Sequence, residues 1–332
     1  MKLKLLFLFT VLMTGWFPVN AQNKVLKFNA NKKFKIVQFT DIHWVPANPA
    51  SQEAAERMNE VLDEEKPDFV ICTGDISTGK PAAEAYKSAL DPVIKRHIPF
   101  AVTFGNHDDE QDLTRQQIYD YMKTMPGNMT GTVTGISGVT NFILPVKSSE
   151  GDKNAFIIYG FDSHSYSPLK NVKGYDWIKQ DQIDWYIKNS TMYTTENGGQ
   201  PLPAIAFFHI PLPEYNYAAS DPGAFMVGTR KETPCSPPVN SGLFTAMLSQ
   251  GDVMATFVGH DHVNDYVADY KGILLGYGRF TGGKTTYHDI PGGNGARIIE
   301  LTEGEHSLKT WERIKGGKII NAMSFPADMQ KQ

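Results

Sequence analysis

Short apolar runs punctuate the chain, and each stops at a Gly, Pro, Asp or similar breaker. They are FKIVQF (34–39), FVIC (69–72), FAVTF (100–104), AFIIYG (155–160), AIAFF (204–208), ATFV (255–258) and GILLGY (272–277). Runs this short, rich in β-branched and aromatic residues, predict strands buried on both faces. Between them the period changes. Ala54, Met58, Val61 and Leu62 fall at i, i+4, i+7 and i+8, and Pro67 closes that segment. Tyr86, Ala89, Leu90, Val93 and Ile94 repeat the spacing, as do Ile118, Tyr121, Met122 and Met125, and more briefly Ile183, Tyr186 and Ile187. These predict helices with one apolar face, and Asp112 and Ser241 stand where caps would. Strands alternating with helices predict an α/β core with the helices outside. The stretch 272–313 is richer in strand and reads as antiparallel. Two stretches, 126–142 and 211–240, lack periodicity, which in a compact domain marks functional loops or lids.

The first residues read differently. MKLKLLFLFTVLMTGWFPVNAQ carries Lys2 and Lys4, an apolar stretch from Leu5 to Met13, and Val19-Asn20-Ala21. That is the layout of a signal peptide with a small-residue cleavage site, and the apolar stretch is short for a spanning helix. The expectation is a signal peptide over 1–21, one domain over 22–332, and export to the periplasm or the extracellular space, with no membrane span left after cleavage. The charge balance, 32 Lys+Arg against 36 Asp+Glu, is mildly acidic. No basic block suggests nucleic-acid binding. Cys72 and Cys235 could pair in an exported protein, but Cys72 lies within FVIC and reads as a core residue. Nothing in the sequence fixes an oligomeric state.

The chemistry lies at the ends of the strands. After VQFT comes Asp41-Ile42-His43; after VICT, Gly74-Asp75; after AVTF, Gly105-Asn106-His107-Asp108; after AIAFF, His209; after ATFV, Gly259-His260-Asp261-His262. Ligands of α/β sheets gather at the carboxyl ends of strands, so five parallel strands would bring these residues to one edge. The set offers nitrogen and oxygen but no thiolate, which suits Zn, Fe or Mn. Seven ligands exceed the need of one tetrahedral ion and suit two ions sharing a carboxylate. Gly74, Gly105 and Gly259 would let the chain turn and keep side chains out of the cavity. Taken singly, each residue also has an ordinary role as turn, cap or core residue.

The ordered set D-x-H, G-D, G-N-H-D, H, G-H-x-H resembles the signature of the calcineurin-like metallophosphoesterase superfamily, from about Phe34 to Leu301. GNHDDEQDLTRQQI, GFDSHSYS, QIDWY, HIPLPEYNYA, PVNSGLF and GARIIEL look closest to its purple-acid-phosphatase-like branch. The resemblance implies a four-layer αββα sandwich: two mixed sheets face to face, flanked by helices. It implies one metal ion on Asp41, His43 and His262, a second on Asn106, His209 and His260, and Asp75 bridging them. His107 would stand beside the phosphate, stabilising charge or protonating the leaving oxygen, with Asp108 as a partner behind the ligands. The implied reaction is hydrolysis of small phosphate esters, monoesters first, by a metal-bound hydroxide. A phosphodiesterase, including a cyclic-nucleotide type, is the enzymic alternative, and a non-catalytic metal-binding relic the other. Two departures matter. Thr78 stands where purple acid phosphatases place an iron-binding tyrosine, so no tyrosinate-to-iron colour is expected. GDISTGK also lacks the Asp-Arg-Gly of Ser/Thr protein phosphatases. In the loop 211–240, Tyr215, Tyr217 and Arg230 are candidates for substrate contact or for plain surface.

Overall fold

The structure, a computed structural model, describes residues 25–329; the expected signal peptide over 1–21 lies outside them. Fourteen strands form two mixed sheets among the described residues. In chain order these are β1 (Leu26–Lys27), β2 (Lys33–Phe39), β3 (Phe69–Thr73), β4 (Phe100–Thr103), β5 (Phe142–Lys147), β6 (Asn154–Gly160) and β7 (Ala204–Phe207). Next come β8 (Met226–Val227), β9 (Val253–Val258), β10 (Val267–Tyr270), β11 (Ile273–Tyr277), β12 (Gly295–Thr302), β13 (Leu308–Ile314) and β14 (Lys318–Phe325). One sheet has the order β1-β5-β6-β7-β9-β11-β10-β8, the other β14-β13-β12-β2-β3-β4. The six α-helices are α1 (Gln52–Glu65), α2 (Ala82–Lys95), α3 (Arg115–Met122), α4 (Gln180–Glu196), α5 (Pro213–Ser220) and α6 (Leu243–Gln250).

Three apolar interfaces make this a four-layer αββα sandwich, as the resemblance implies. Phe34, Ile36, Phe69 and Ile71 face Phe207, Met254, Phe257 and Leu274 between the sheets. Val37, Phe39, Val70 and Cys72 turn the other way, against Ala54, Met58, Tyr86 and Leu90 of α1 and α2. Tyr159, Ala206, Val258 and Leu275 pack against Tyr186, Tyr215 and Met247 of α4, α5 and α6. β3 is buried at every position and β2 from Ile36 to Phe39, because both faces are covered there.

All seven predicted strands form, and the helical spacings at 54–62, 86–94 and 183–187 fall within α1, α2 and α4, while that at 118–125 falls in α3 only as far as Met122, with Met125 beyond the helix end. Several details differ. The apolar runs do not predict β5, because its residues alternate between buried and half-buried and Pro145 interrupts the run. The stretch 272–313 is largely antiparallel: β12 and β13 are, and β11 is against β10, but β11 also runs parallel to β9. Thr114, not Asp112, caps α3, in a reciprocal capping box with Gln117. Asp112 instead accepts from the backbone N–H of Ala82 at 2.8 Å and so caps α2 from a neighbouring loop. Ser241 caps nothing; α6 begins at Gly242 in a left-handed conformation. Cys72 and Cys235 are free thiols, the first buried and the second exposed.

Candidate metal centre

The five ligand-bearing strand ends belong to two sheets. β2, β3 and β4 run parallel in one, β7 and β9 parallel in the other. Past each end the chain keeps pairing for a few residues. Asp41 N–H donates to Gly74 O at 3.1 Å, His43 N–H to Asp75 O at 2.9 Å and Gly259 N–H to His209 O at 3.1 Å. The site therefore sits on the rim shared by both sheets. Asp41, His43, Asp75 and His260 adopt φ of +54°, +47°, +51° and +80°. A non-glycine residue pays about 1–2 kcal/mol for that conformation, and four such residues at one place mark a site whose backbone is held by its surroundings. Glycine is required at two neighbouring positions. A Cβ on Gly105 would strike Asp75, and one on Gly259 would strike Thr40 and Asp41.

The side chains gather in two groups that share one carboxylate: Asp41, His43, Asp75 and His262, and Asp75, His209 and His260. Asp75 Oδ2 lies 3.1 Å from His209 Nε2 and 3.7 Å from His43 Nε2. His43 Nε2 is 3.1 Å from His262 Nε2, which is 3.5 Å from Asp41 Oδ1. His260 Nδ1 is 3.3 Å from His209 Nε2. Two ring orientations are set from behind: His209 Nδ1–H donates to Thr73 O at 2.7 Å and His262 Nδ1–H to Tyr287 O at 2.9 Å. Each leaves its Nε2 free to accept, the arrangement by which metal-binding histidines are oriented.

Protonation follows the same geometry. Burial drives His43 down to about 4 and His260 to about 3, so both rings are neutral near pH 7. Burial would lower His209 as well, but the charge and hydrogen bond of Asp75 outweigh it and lift the ring to about 9. Asp75 itself, resisted by burial, falls well below the usual carboxylate range through His209 and His43. Two buried atoms of the candidate ligands, Asn106 Oδ1 and His260 Nε2, have no hydrogen-bond partner. Unmatched acceptors, four imidazoles and two carboxylates are the donor set a pair of borderline cations fits.

Asp108 is fully buried and does not face this cluster. Its carboxylate accepts from the backbone N–H of Asp75 (2.9 Å), Ile76 (2.8 Å) and Gly105 (2.8 Å). It clamps the two loops that carry Asp75 and Asn106, a positioning contact from behind the ligand-bearing loops, where the resemblance put it. Arg115 does similar work from α3, donating to Gly105 O at 2.6 Å and pairing with buried Asp162 at 2.9 Å. His107 donates its backbone N–H to Asp75 Oδ1 at 2.8 Å, and its ring stands at the partly exposed mouth, 5.6 Å from that of His43. Its Nδ1 is 2.6 Å from Glu110 Oε2.

Three tyrosines stand at the mouth, and of these only Tyr166, within GFDSHSYS, lies in a stretch the sequence singled out. Tyr175 meets His260 edge-on at 4.4 Å, the Tyr166 hydroxyl is 3.4 Å from Asn106 Nδ2, and Tyr287 stacks on His262 at 4.3 Å. None of the three belongs to an apolar run or a helical spacing, so periodicity did not single them out. Of the candidates in 211–240, Tyr215 is a core residue, its hydroxyl 2.8 Å from Thr256 Oγ1. Tyr217 is exposed beside Tyr270, and Arg230 donates to Ala219 O. None of these contacts reaches the ligand cluster.

A four-layer sandwich carrying an Asp/His cluster of this kind on the rim between its sheets defines a metallophosphoesterase-type protein. The family model described as calcineurin-like phosphoesterase matches residues 34–264, and the chain belongs to that family. It is 32% identical to "Probable inactive purple acid phosphatase 29" of Arabidopsis thaliana, over 90% of this chain and 86% of that protein. It is 33% identical to "Phosphatase DCR2" of Saccharomyces cerevisiae, over 92% of this chain and 58% of that one. A dimetal phosphatase from Danio rerio shares the fold at a TM-score of 0.60 and 12% identity, over 88% of this chain and 98% of its own.

Proposed function

We propose that this protein is an exported hydrolase of small phosphate esters, with monoesters as its substrates, acting at a centre of two metal ions. The observation that carries the reading is Asp75, one buried carboxylate common to two ligand groups. Asp41, His43 and His262 would hold one ion, Asn106, His209 and His260 the other, and the donor set suits Fe, Zn or Mn. When bound, the ions supply polarisation of the phosphate and an activated water. The chain's own part is positional and protolytic. Asp108 and Arg115 hold the Asp75 and Asn106 loops at fixed separation. His107 stands at the mouth, and Glu110 on its Nδ1 turns Nε2 away, toward an ester oxygen that needs a proton as it leaves. Export rests on the N-terminal sequence. Among the described residues no helix is long and apolar enough to cross a membrane.

The name of the Arabidopsis relative, a probable inactive phosphatase, favours a second reading, a metal-binding protein without turnover. Metal analysis of the purified protein, with a panel of mono-, di- and cyclic phosphate esters, separates the two. Two ions per chain with monoester turnover is the expected result. Preference for diesters would overturn the substrate assignment, and full metal content without any turnover would leave the relic.

A further inference from the structure

We infer that Tyr166 and Tyr175 form an aromatic shelf that receives the organic group of the ester, so that this centre selects phosphate esters carrying a flat ring; the inference rests on the phosphoesterase reading above. The two residues face each other across an isolated antiparallel bridge and stack with ring centroids 5.6 Å apart and planes 23° from parallel. The pair is continuous with the metal centre. Tyr175 touches His260 and Tyr166 reaches Asn106, both proposed for the same ion. Yet Tyr166 is 50% exposed. With one face given to Tyr175, its other face is left for a partner, and covering an open ring is favourable in proportion to the apolar area removed from water.

Geometry also says which part of a substrate arrives there. The phosphate belongs on the ligand cluster. The leaving oxygen belongs beside His107, which can give it a proton. Glu110 is bonded to His107 and lies close enough to Tyr166 for its charge to act on that hydroxyl. The atoms beyond the leaving oxygen therefore begin next to Tyr166. The third mouth tyrosine is engaged already: Tyr287 lies nearly parallel on His262, at 20°, with its hydroxyl 3.2 Å from Glu232. Carboxylates on both sides of the mouth, Glu110 and Glu232, oppose a second phosphate group. A ring without further charge fits this surface, and offset stacking supplies its geometry.

The test compares two non-hydrolysable ligands, benzylphosphonate and ethylphosphonate, binding to the metal-loaded protein by calorimetry. The parent is expected to prefer the benzyl compound by roughly three- to tenfold, the range of one aromatic stack. In Tyr166→Ala that ratio should collapse to near one, and in Tyr166→Phe, which keeps the ring and loses the hydroxyl, it should persist. Equal binding of both ligands by the parent, binding of neither, or a ratio untouched by Tyr166→Ala overturns the shelf. Turnover of benzyl phosphate and ethyl phosphate is measured alongside. A protein that binds with the expected preference and hydrolyses neither ester keeps the shelf and loses the hydrolase reading.

Discussion

Two clusters of buried charge lie in this molecule, and they are built on opposite terms. Arg279, Arg297, Asp265 and Glu312 are fully enclosed and satisfy one another. Arg279 pairs with Asp265 and stands 3.6 Å from Glu312, Arg297 pairs with Glu312, and Asn321 Nδ2 donates to the remaining Glu312 oxygen at 3.1 Å. The cluster at the strand ends is as deeply buried but has no Lys or Arg in it. It holds two carboxylates and four imidazoles, leaves Asn106 Oδ1 and His260 Nε2 unmatched, and bends its backbone into left-handed conformations. Burial alone therefore does not mark a functional site. The first cluster is complete as the chain makes it, while the second leaves polar atoms that metal ions could complete.

The largest test of that contrast is Asp75→Ala. It removes the one group shared by both ligand sets, so metal content and turnover should both disappear while the metal-free fold persists by circular dichroism. Full metal content with near-normal turnover would sink the two-ion assignment. Glu312→Ala probes the other cluster. It leaves two guanidiniums with one carboxylate, and breaking such a pair costs about 3–5 kcal/mol. Urea unfolding should show that loss, with metal binding per folded molecule unchanged. Next comes His107→Ala, which should keep both ions and lower turnover by roughly 10²–10⁴-fold. The deficit should shrink for esters whose leaving group needs no proton. Loss of metal in this variant would make His107 a ligand.

The smallest effect is in acid. Burial works against the charge on Asp162, but Arg115, His164 and the backbone N–H groups of Val139 and His164 outweigh it and hold the carboxyl below its ordinary 3.8. A depressed carboxyl contributes stability that is fully present above the unfolded value and lost as pH falls through the folded one. Stability should therefore drop below about pH 4, and Asp162→Asn should flatten that part of the profile. An unchanged slope in the variant would assign the acid loss to other groups.

How much of this was legible in the sequence depended on whether the signal was local. Every residue of the two ligand groups comes directly after an apolar run, so strand pattern and residue type together located Asp41, His43, Asp75, His209, His260 and His262. The division of those strands between two sheets was not legible as spacing, because consecutive strands can pair or part without a change in pattern; it entered only through the family resemblance. The strand β5 hid behind Pro145 and half-buried alternate positions. Tyr215 shows the converse error. It lies in a stretch that reads as loop, but Pro213 at the first helical position and Glu214 in the first turn open α5, which buries it. Arg279 and Arg297 look like surface residues in sequence, and only their partners, Asp265 and Glu312, explain their burial.

The spread of the ligands along the chain has a consequence for how the protein matures. Three strands that carry them come early, ending with β4, and the last two ligands, His260 and His262, come after β9 on the other sheet. A growing chain offers Asp41, His43, Asp75 and Asn106 from one sheet early, but neither ligand group is whole until His209, His260 and His262 have been made. The two ligand groups come together only when the two sheets close on each other, so on the proposed reading metal would be acquired late and would report the completion of folding. For a chain exported before it folds, the ions in the centre are then chosen by the compartment it reaches, not the one in which it was synthesised.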